Sequence, residues 1–213
     1  MDGVIIDSNP YHKIAWTNFF SRRNVVIDDR AFSELIFGTT GDQAINKILN
    51  GNFSQDDLEN FNNEIDAEFR DIIGNSKTIQ PVNGLFEFLT SLSERQCKIA
   101  LATSAPPENV ELILNRLQIQ KYFNLIIDKT QVLAGKPNPE IYLKTVDRLG
   151  IPKENCVAFE DSFAGIISAR KAGLLVIGVT TSHSEEELIR TGATLCIKDF
   201  SEISLEKIDS LRD

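Results

Sequence analysis

The chain predicts an α/β fold: a parallel sheet covered by helices, interrupted early by an all-helical insertion. Two observations carry this. From residue 98 onward, short apolar runs rich in β-branched residues alternate with longer amphipathic stretches. Residues 10–80 instead carry only helical periodicity, with no convincing strand. Strands are expected at 98–103, 125–128, 156–160, 174–179 and 194–197. Helices are expected between them at 107–117, 139–149, 163–172 and 185–191. Gly150 and Gly173 follow two of these helices, where a left-handed residue closes the last turn. A strand, a crossover helix and a second strand, repeated, give a parallel sheet with helices on both faces. In the insertion, helices are expected at 11–22, 31–37, 41–49 and 56–73, the last opened by Ser54 with Asp56 and Asp57 behind it. The α/β pattern resumes near Val82, and Gly84 opens an amphipathic stretch at 85–92. The domain boundaries follow: residues 1–9 and 82–213 form the core, and 10–81 the helical module.

With 213 residues, 42% hydrophobic and 25% charged, the chain can bury one α/β core and a modest insert. Its net charge of −9, from 22 basic and 31 acidic residues, repels a nucleic-acid backbone. An anionic ligand must therefore be held locally, by a metal ion, a lysine or backbone N–H groups. No apolar run approaches the ~20 residues that a membrane-spanning helix needs. No basic segment followed by an apolar stretch marks a secretory signal. Cys97, Cys156 and Cys196 are widely spaced and form no CxxC pair. They read as thiols in a reducing compartment, with zinc binding or a cysteine nucleophile as the poorly supplied alternative beside only His12 and His183. A cytoplasmic monomer is expected.

Open parallel sheets bind ligands beyond the carboxyl ends of their strands. Thr103 and Ser104 end one predicted strand, Asp128 the next, and Glu160-Asp161-Ser162 a third, while Lys136 lies in the loop after Asp128. Two hydroxyls, a lysine and an acidic pair suit an anion bridged by a metal.

Four segments then resemble the haloacid dehalogenase-like phosphatase superfamily, in order and across the whole chain. Asp2-Gly3 is similar to the end of its first motif, Asp-x-Asp-Gly, and Ala100-Leu101-Ala102-Thr103-Ser104 to the second. Gly135-Lys136-Pro137-Asn138-Pro139 is similar to the third, and Val157-Ala158-Phe159-Glu160-Asp161-Ser162, running through Gly165 to Gly173, to the fourth. The resemblance implies a Rossmann-like core with a four-helix cap, as in the subgroup containing β-phosphoglucomutase and small-metabolite phosphatases. It implies Mg²⁺ as cofactor and a small-molecule phosphate ester as substrate. Asp2 becomes the general acid and base and, through its carbonyl, a metal ligand. Asp161 becomes the principal carboxylate ligand, with Glu160 beside it directly or through water. Thr103, with N–H groups near Ser104 and Ala105, holds phosphoryl oxygens; Lys136 neutralises the reacting pair. Taken singly these residues have plainer readings. Asp2 is a turn former, Asp161-Ser162 a helix cap, and Lys136 a solvated loop residue.

In the family the nucleophilic aspartate stands two places before the aspartate that precedes glycine, which here falls one place before Met1. An apolar strand ending in that aspartate is expected upstream; a shortened, non-catalytic homologue is the alternative. In the helical module, His12 is a candidate contact to the active site and Trp16 reads as packing. Asp7 and Ser8 read as hydrogen-bonding within their turn, and His183 as a surface residue at a helix start. Phe37-Gly38-Thr39-Thr40-Gly41 matches the cap loop that reads substrate, with Gly38 and Thr39 as candidate contacts. Phe37 and Gly41 stand where sugar-phosphate mutases carry basic residues. That favours a phosphohydrolase over a mutase of the β-phosphoglucomutase kind.

Overall fold

The computed structural model describes residues 1–36 and 41–211. The chain divides into two compact units, Ser8–Thr78 and Met1–Asp7 with Ile79–Asp213.

The helical unit begins with α1 (Asn9–Ser21), which carries Pro10 in its first turn, where a missing N–H costs nothing. Next come a short α2 (Asp29–Ala31), a π-helical turn over Phe32–Ile36, α3 (Gly41–Ile48) and α4 (Gln55–Asn75). The helix expected from residue 31 starts earlier because the Asp28 carboxylate accepts the Ala31 N–H at 2.7 Å. Hydrophobic periodicity does not distinguish its widened turn from an ordinary α turn. Ser54 opens α4 as expected. Its hydroxyl accepts the Asp57 N–H at 3.2 Å while Asp57 accepts the Ser54 N–H at 3.3 Å, a reciprocal capping box. Helices α1 and α4 pack over Phe19, Phe20 and Phe69, all fully buried. Trp16 lies among these rings, stacked 5.7 Å from Phe20. At the edge, Arg23 sits 3.8 Å over the Phe19 ring and pairs with Glu64 at 2.6 Å, and Arg22 pairs with Glu64 and Glu68.

The α/β unit contains α5 (Leu85–Glu94), β1 (Ala100–Ala102), α6 (Pro107–Leu117), β2 (Leu125–Ile127), α7 (Glu140–Leu149), β3 (Val157–Glu160), α8 (Phe163–Lys171), β4 (Leu175–Val179), α9 (Glu185–Thr191), β5 (Leu195–Ile197) and α10 (Leu205–Asp209). All strand pairs are parallel: β1 with β2, and β3–β4–β5. All five expected strands are present. The first is shorter because the Asn124 side chain, not a strand, accepts the Ile99 N–H at 2.8 Å. Helix α10 was not expected; five residues capped by Ser204 carry too little periodicity to register.

The strands are covered on both faces, β4 most completely. Ile127, Ala158 and Val176 pack with Ile141 of α7, Ile166 of α8 and Leu188 of α9. On the other face, Phe88 of α5, Phe159 of β3 and Phe200 pack with ring centroids 5.3–5.5 Å apart, Phe88 stacked on Phe200 and edge-on to Phe159. Gly84 holds φ +75° at the start of α5, and a Cβ there would meet the Ser201 nitrogen at 2.5 Å.

The Glu64 network predicts an acid dependence. Hydrogen bonding from Arg23, working against burial and aided by Arg22, holds the Glu64 carboxyl below its ordinary range. A carboxylate with a depressed folded pKa contributes stability that is full above its unfolded pKa and is lost as pH falls through the folded one. Thermal unfolding of wild type and Glu64→Gln should therefore differ at neutral pH and converge between about pH 5 and pH 3. A gap independent of pH would remove the ion pairs as its cause.

Candidate active site

Seven of the candidate residues lie in the α/β unit: Thr103, Ser104 and Ala105 after β1, Lys136 after β2, Glu160 and Asp161 at the end of β3, and Asp2 in the N-terminal turn. Thr103 follows β1 and is buried, its N–H donating to the Ile127 carbonyl at 2.9 Å in continuation of the β1–β2 ladder. The Thr103 hydroxyl oxygen accepts the Ala105 N–H at 3.2 Å. That N–H is therefore used locally, while the hydroxyl proton keeps its own direction for an acceptor. Ser104 is exposed just before α6, whose first turn carries Pro107.

Lys136 stands in the loop between β2 and α7. The loop is fixed from both sides: Glu140 accepts the Leu133 and Ala134 N–H groups at 2.9–3.0 Å, and buried Ser168 of α8 donates to the Asn138 carbonyl at 2.7 Å. The Lys136 ammonium donates to the Ala102 carbonyl at the end of β1, 3.3 Å away, and to Glu160 Oε1 at the end of β3. The Tyr142 hydroxyl of α7 donates to the same Oε1. Burial alone would push the Glu160 carboxyl up. The Lys136 charge and hydrogen bond, with Tyr142, hold it below its ordinary range. The remaining Glu160 oxygen lies against Gly165, where an added Cβ would sit 2.0 Å from it.

Asp161 leaves the strand toward the Asp2-Gly3 turn. Gly3 has φ +66°, and a Cβ there would lie 1.9 Å from Asp161 Oδ2, so the turn backbone rests directly on this carboxylate. The Met1 carbonyl accepts the Ile5 N–H at 2.7 Å, and the Val82 N–H donates to the Ile5 carbonyl at 2.8 Å, anchoring the turn. Ser182, after β4, donates to Asp161 Oδ2. Burial first, then the neighbouring Glu160 charge, pushes the Asp161 carboxyl up to about 6. Ser162, not Asp161, caps α8, accepting the Gly165 N–H at 3.1 Å.

The structure thus brings Asp2, Thr103, Lys136, Glu160 and Asp161 into one unit. His12 belongs to the helical unit, where it stacks on Phe69 with centroids 4.1 Å apart. Gly38 and Thr39 lie outside the described residues. His183 departs from its surface reading. It is partly buried, stacked on Phe163 with centroids 3.8 Å apart. Tyr142, Gly165, Thr181 and Ser182 were given no part in the chemistry by the sequence. A hydroxyl at 142 hides inside the apolar face of a helix, and Ser182 hides in a run that reads as a helix start.

Residues 1–200 match the family described as haloacid dehalogenase-like hydrolase. The chain belongs to this family. It is 31% identical over 204 residues to a phosphorylated carbohydrates phosphatase of Thermotoga maritima, covering 93% of this chain and 91% of that one. It is 28% identical over 211 residues to a β-phosphoglucomutase of Bacillus subtilis, covering 97% and 90%. A crystal structure of a family IA hydrolase from Entamoeba histolytica superimposes with a TM-score of 0.93 at 29% identity, covering 100% and 96%.

The donor set can be tested against the Mg²⁺ that the haloacid dehalogenase-like resemblance implies. Among the described residues no three His, Cys, Asp or Glu side chains group as a metal cluster. Mg²⁺ does not require one, since it takes one or two carboxylates with carbonyls, waters and a substrate phosphate. A desolvated Asp161 carboxylate against a left-handed backbone turn fits that demand.

The Gly165–Glu160 contact yields a test. Gly165→Ala should displace the Glu160 carboxylate from Lys136 and Tyr142, costing about 1–3 kcal/mol in denaturant unfolding. Gly135→Ala, where a Cβ meets nothing within 4 Å, serves as the neutral control at within about 0.5 kcal/mol. Equal stability of the two variants would show that Glu160 is not held by this packing.

Proposed function

We propose that the chain is a Mg²⁺-dependent phosphatase of small phosphorylated metabolites that works through an aspartyl-phosphate. The observation that supports this best is the convergence, at the carboxyl ends of β1 and β3, of a pinned lysine, a buried threonine hydroxyl and a desolvated aspartate beside the Asp2-Gly3 turn.

In this reading Asp161, the Asp2 carbonyl and, directly or through water, Glu160 hold Mg²⁺. When bound, the ion supplies positive charge to the phosphoryl oxygens. Thr103 donates its hydroxyl proton to one of these oxygens. Lys136, held by the Ala102 carbonyl and Glu160, presents its ammonium where negative charge builds up between nucleophile and phosphorus. Asp2 protonates the leaving oxygen and then takes a proton from the attacking water. The nucleophile is an aspartate one place before Met1, at the end of a strand lying between β1 and β3. The pairing supports this: among the described strands, β1 pairs only with β2 and β3 only with β4. A strand between them would satisfy the facing ladder groups of both. The reading includes a cytoplasmic monomer, a setting that suits three free thiols.

The Bacillus relative makes a mutase the second reading. Against it stands Phe37-Gly38-Thr39-Thr40-Gly41, which offers no cation to a second phosphate, in a chain of net charge −9. At Gly41, a Cβ would meet Asn62 Oδ1 at 2.1 Å. Asn62 is itself engaged, donating to Asp42 at 2.7 Å and to the Leu58 carbonyl at 2.7 Å. A basic side chain at 41 therefore requires Asn62 to move.

The protein carrying its upstream residues, given Mg²⁺ and a panel of sugar phosphates, should release inorganic phosphate and leave β-glucose 1-phosphate unisomerised. Asp161→Asn should lower turnover and Mg²⁺ dependence together by at least ~10-fold, and Glu160→Gln by less. A chain beginning at Met1 should release none. Isomerisation stimulated by glucose 1,6-bisphosphate would establish the mutase, and full activity of the Met1 chain would place the nucleophile elsewhere. No turnover from either chain would leave the non-catalytic homologue.

A further inference from the structure

We propose that Thr181 and Ser182 are positioning residues, a two-hydroxyl strap that presets the Asp2-Gly3 turn and the Asp161 carboxylate for a divalent cation. The proposal rests on the phosphatase reading and adds two residues to it. The Thr180 N–H donates to the Ile197 carbonyl at 2.9 Å, carrying the β4–β5 ladder one residue past β4. The chain then leaves the sheet. The Thr181 hydroxyl donates to the Gly3 carbonyl at 2.5 Å, a contact 178 residues apart in sequence. The next hydroxyl, of Ser182, donates to Asp161 Oδ2. Both bonds end at one junction, because Gly3 itself rests on Asp161 Oδ2.

The strap is rigid at its far end as well. His183 stacks on Phe163, which starts α8 two residues after Asp161. Ser184 closes a capping box with Glu187 at the start of α9. Two consecutive side chains are thus locked between a ladder bond and a helix cap, which is what holding a ligand geometry requires.

The chemistry favours neutral donors here. A lysine or arginine on Asp161 would neutralise the carboxylate and compete with a cation. A serine hydroxyl fixes Oδ2 and leaves the negative charge, with Oδ1 as the oxygen presented. Thr181 does the same for the backbone. With φ of Gly3 at +66° and its carbonyl tethered, the direction of the adjoining Asp2 carbonyl is set before any ion arrives. Little reorganisation then remains for binding to pay.

Isothermal titration of Mg²⁺ into the protein with its native N-terminus tests this without reference to turnover. Ser182→Ala should raise the Mg²⁺ Kd about 10-fold, and Ser182→Thr, which keeps the hydroxyl, should restore it to within about twofold of wild type. KM for the phosphate ester at saturating Mg²⁺ should be unchanged, as expected for a group that touches no substrate. Thr181→Val, nearly isosteric, should weaken Mg²⁺ binding in the same direction and carries the test if Ser182→Ala does not fold. An unchanged Mg²⁺ Kd in the folded Ser182→Ala or Thr181→Val variant overturns the proposal alone. So does a Ser182→Thr variant as weak as Ser182→Ala. Failure of the wild-type protein to bind Mg²⁺ overturns the metal-dependent reading and the strap with it.

Discussion

The ion pair between Lys136 and Glu160 is the constraint on which the site depends. Its side chains are only 12% and 6% exposed, so neither charge is hydrated to any useful extent. Taking them out of water is costly, and their attraction offsets this only when the remaining hydrogen-bonding capacity is filled. Here it is filled. Tyr142 donates to the same carboxylate oxygen, the Ala102 carbonyl accepts from the ammonium, and Gly165 makes room for the second oxygen. Because Ala102 ends β1 and Glu160 ends β3, one ammonium ties the two strand ends together. The pair therefore orders the two strand ends after which Thr103 and Asp161 stand.

Much of this was legible in the sequence. Alternating apolar runs gave five strands and their crossover helices, since a strand buried on both faces must be short, β-branched and bounded by turns. The position of Ser54 before two aspartates marked the start of α4 because capping is a local interaction, complete within four residues. The strand-end rule groups Thr103, Lys136, Glu160 and Asp161 from the sequence alone.

What stayed hidden is non-local. Tyr142 occupies a position that the periodicity of α7 assigns to the core, and only the fold shows that its hydroxyl reaches the strand end. Gly165 looks like an ordinary glycine in a helix until the Glu160 carboxylate is found against it. Thr181 and Ser182 reach partners at Gly3 and Asp161, and no sequence window spans those separations. His183 follows the same rule: the helix start beside it is a local signal, whereas its stacking on the Phe163 ring is not. In the proposed reading, specificity falls to the helical unit. There the packing of Asn62 against Gly41 explains why that position carries no side chain, a steric fact that charge pattern alone did not suggest.

A double-mutant cycle on Lys136→Met and Glu160→Gln, read as unfolding free energy in denaturant, tests the central role of the pair most directly. Each single change strands a buried polar or charged partner and should cost about 3–5 kcal/mol. The double variant, with neither charge left, should be more stable than the sum of the two losses by at least about 2 kcal/mol. Additivity within about 0.5 kcal/mol would mean that the two side chains do not depend on each other, and would contradict the account.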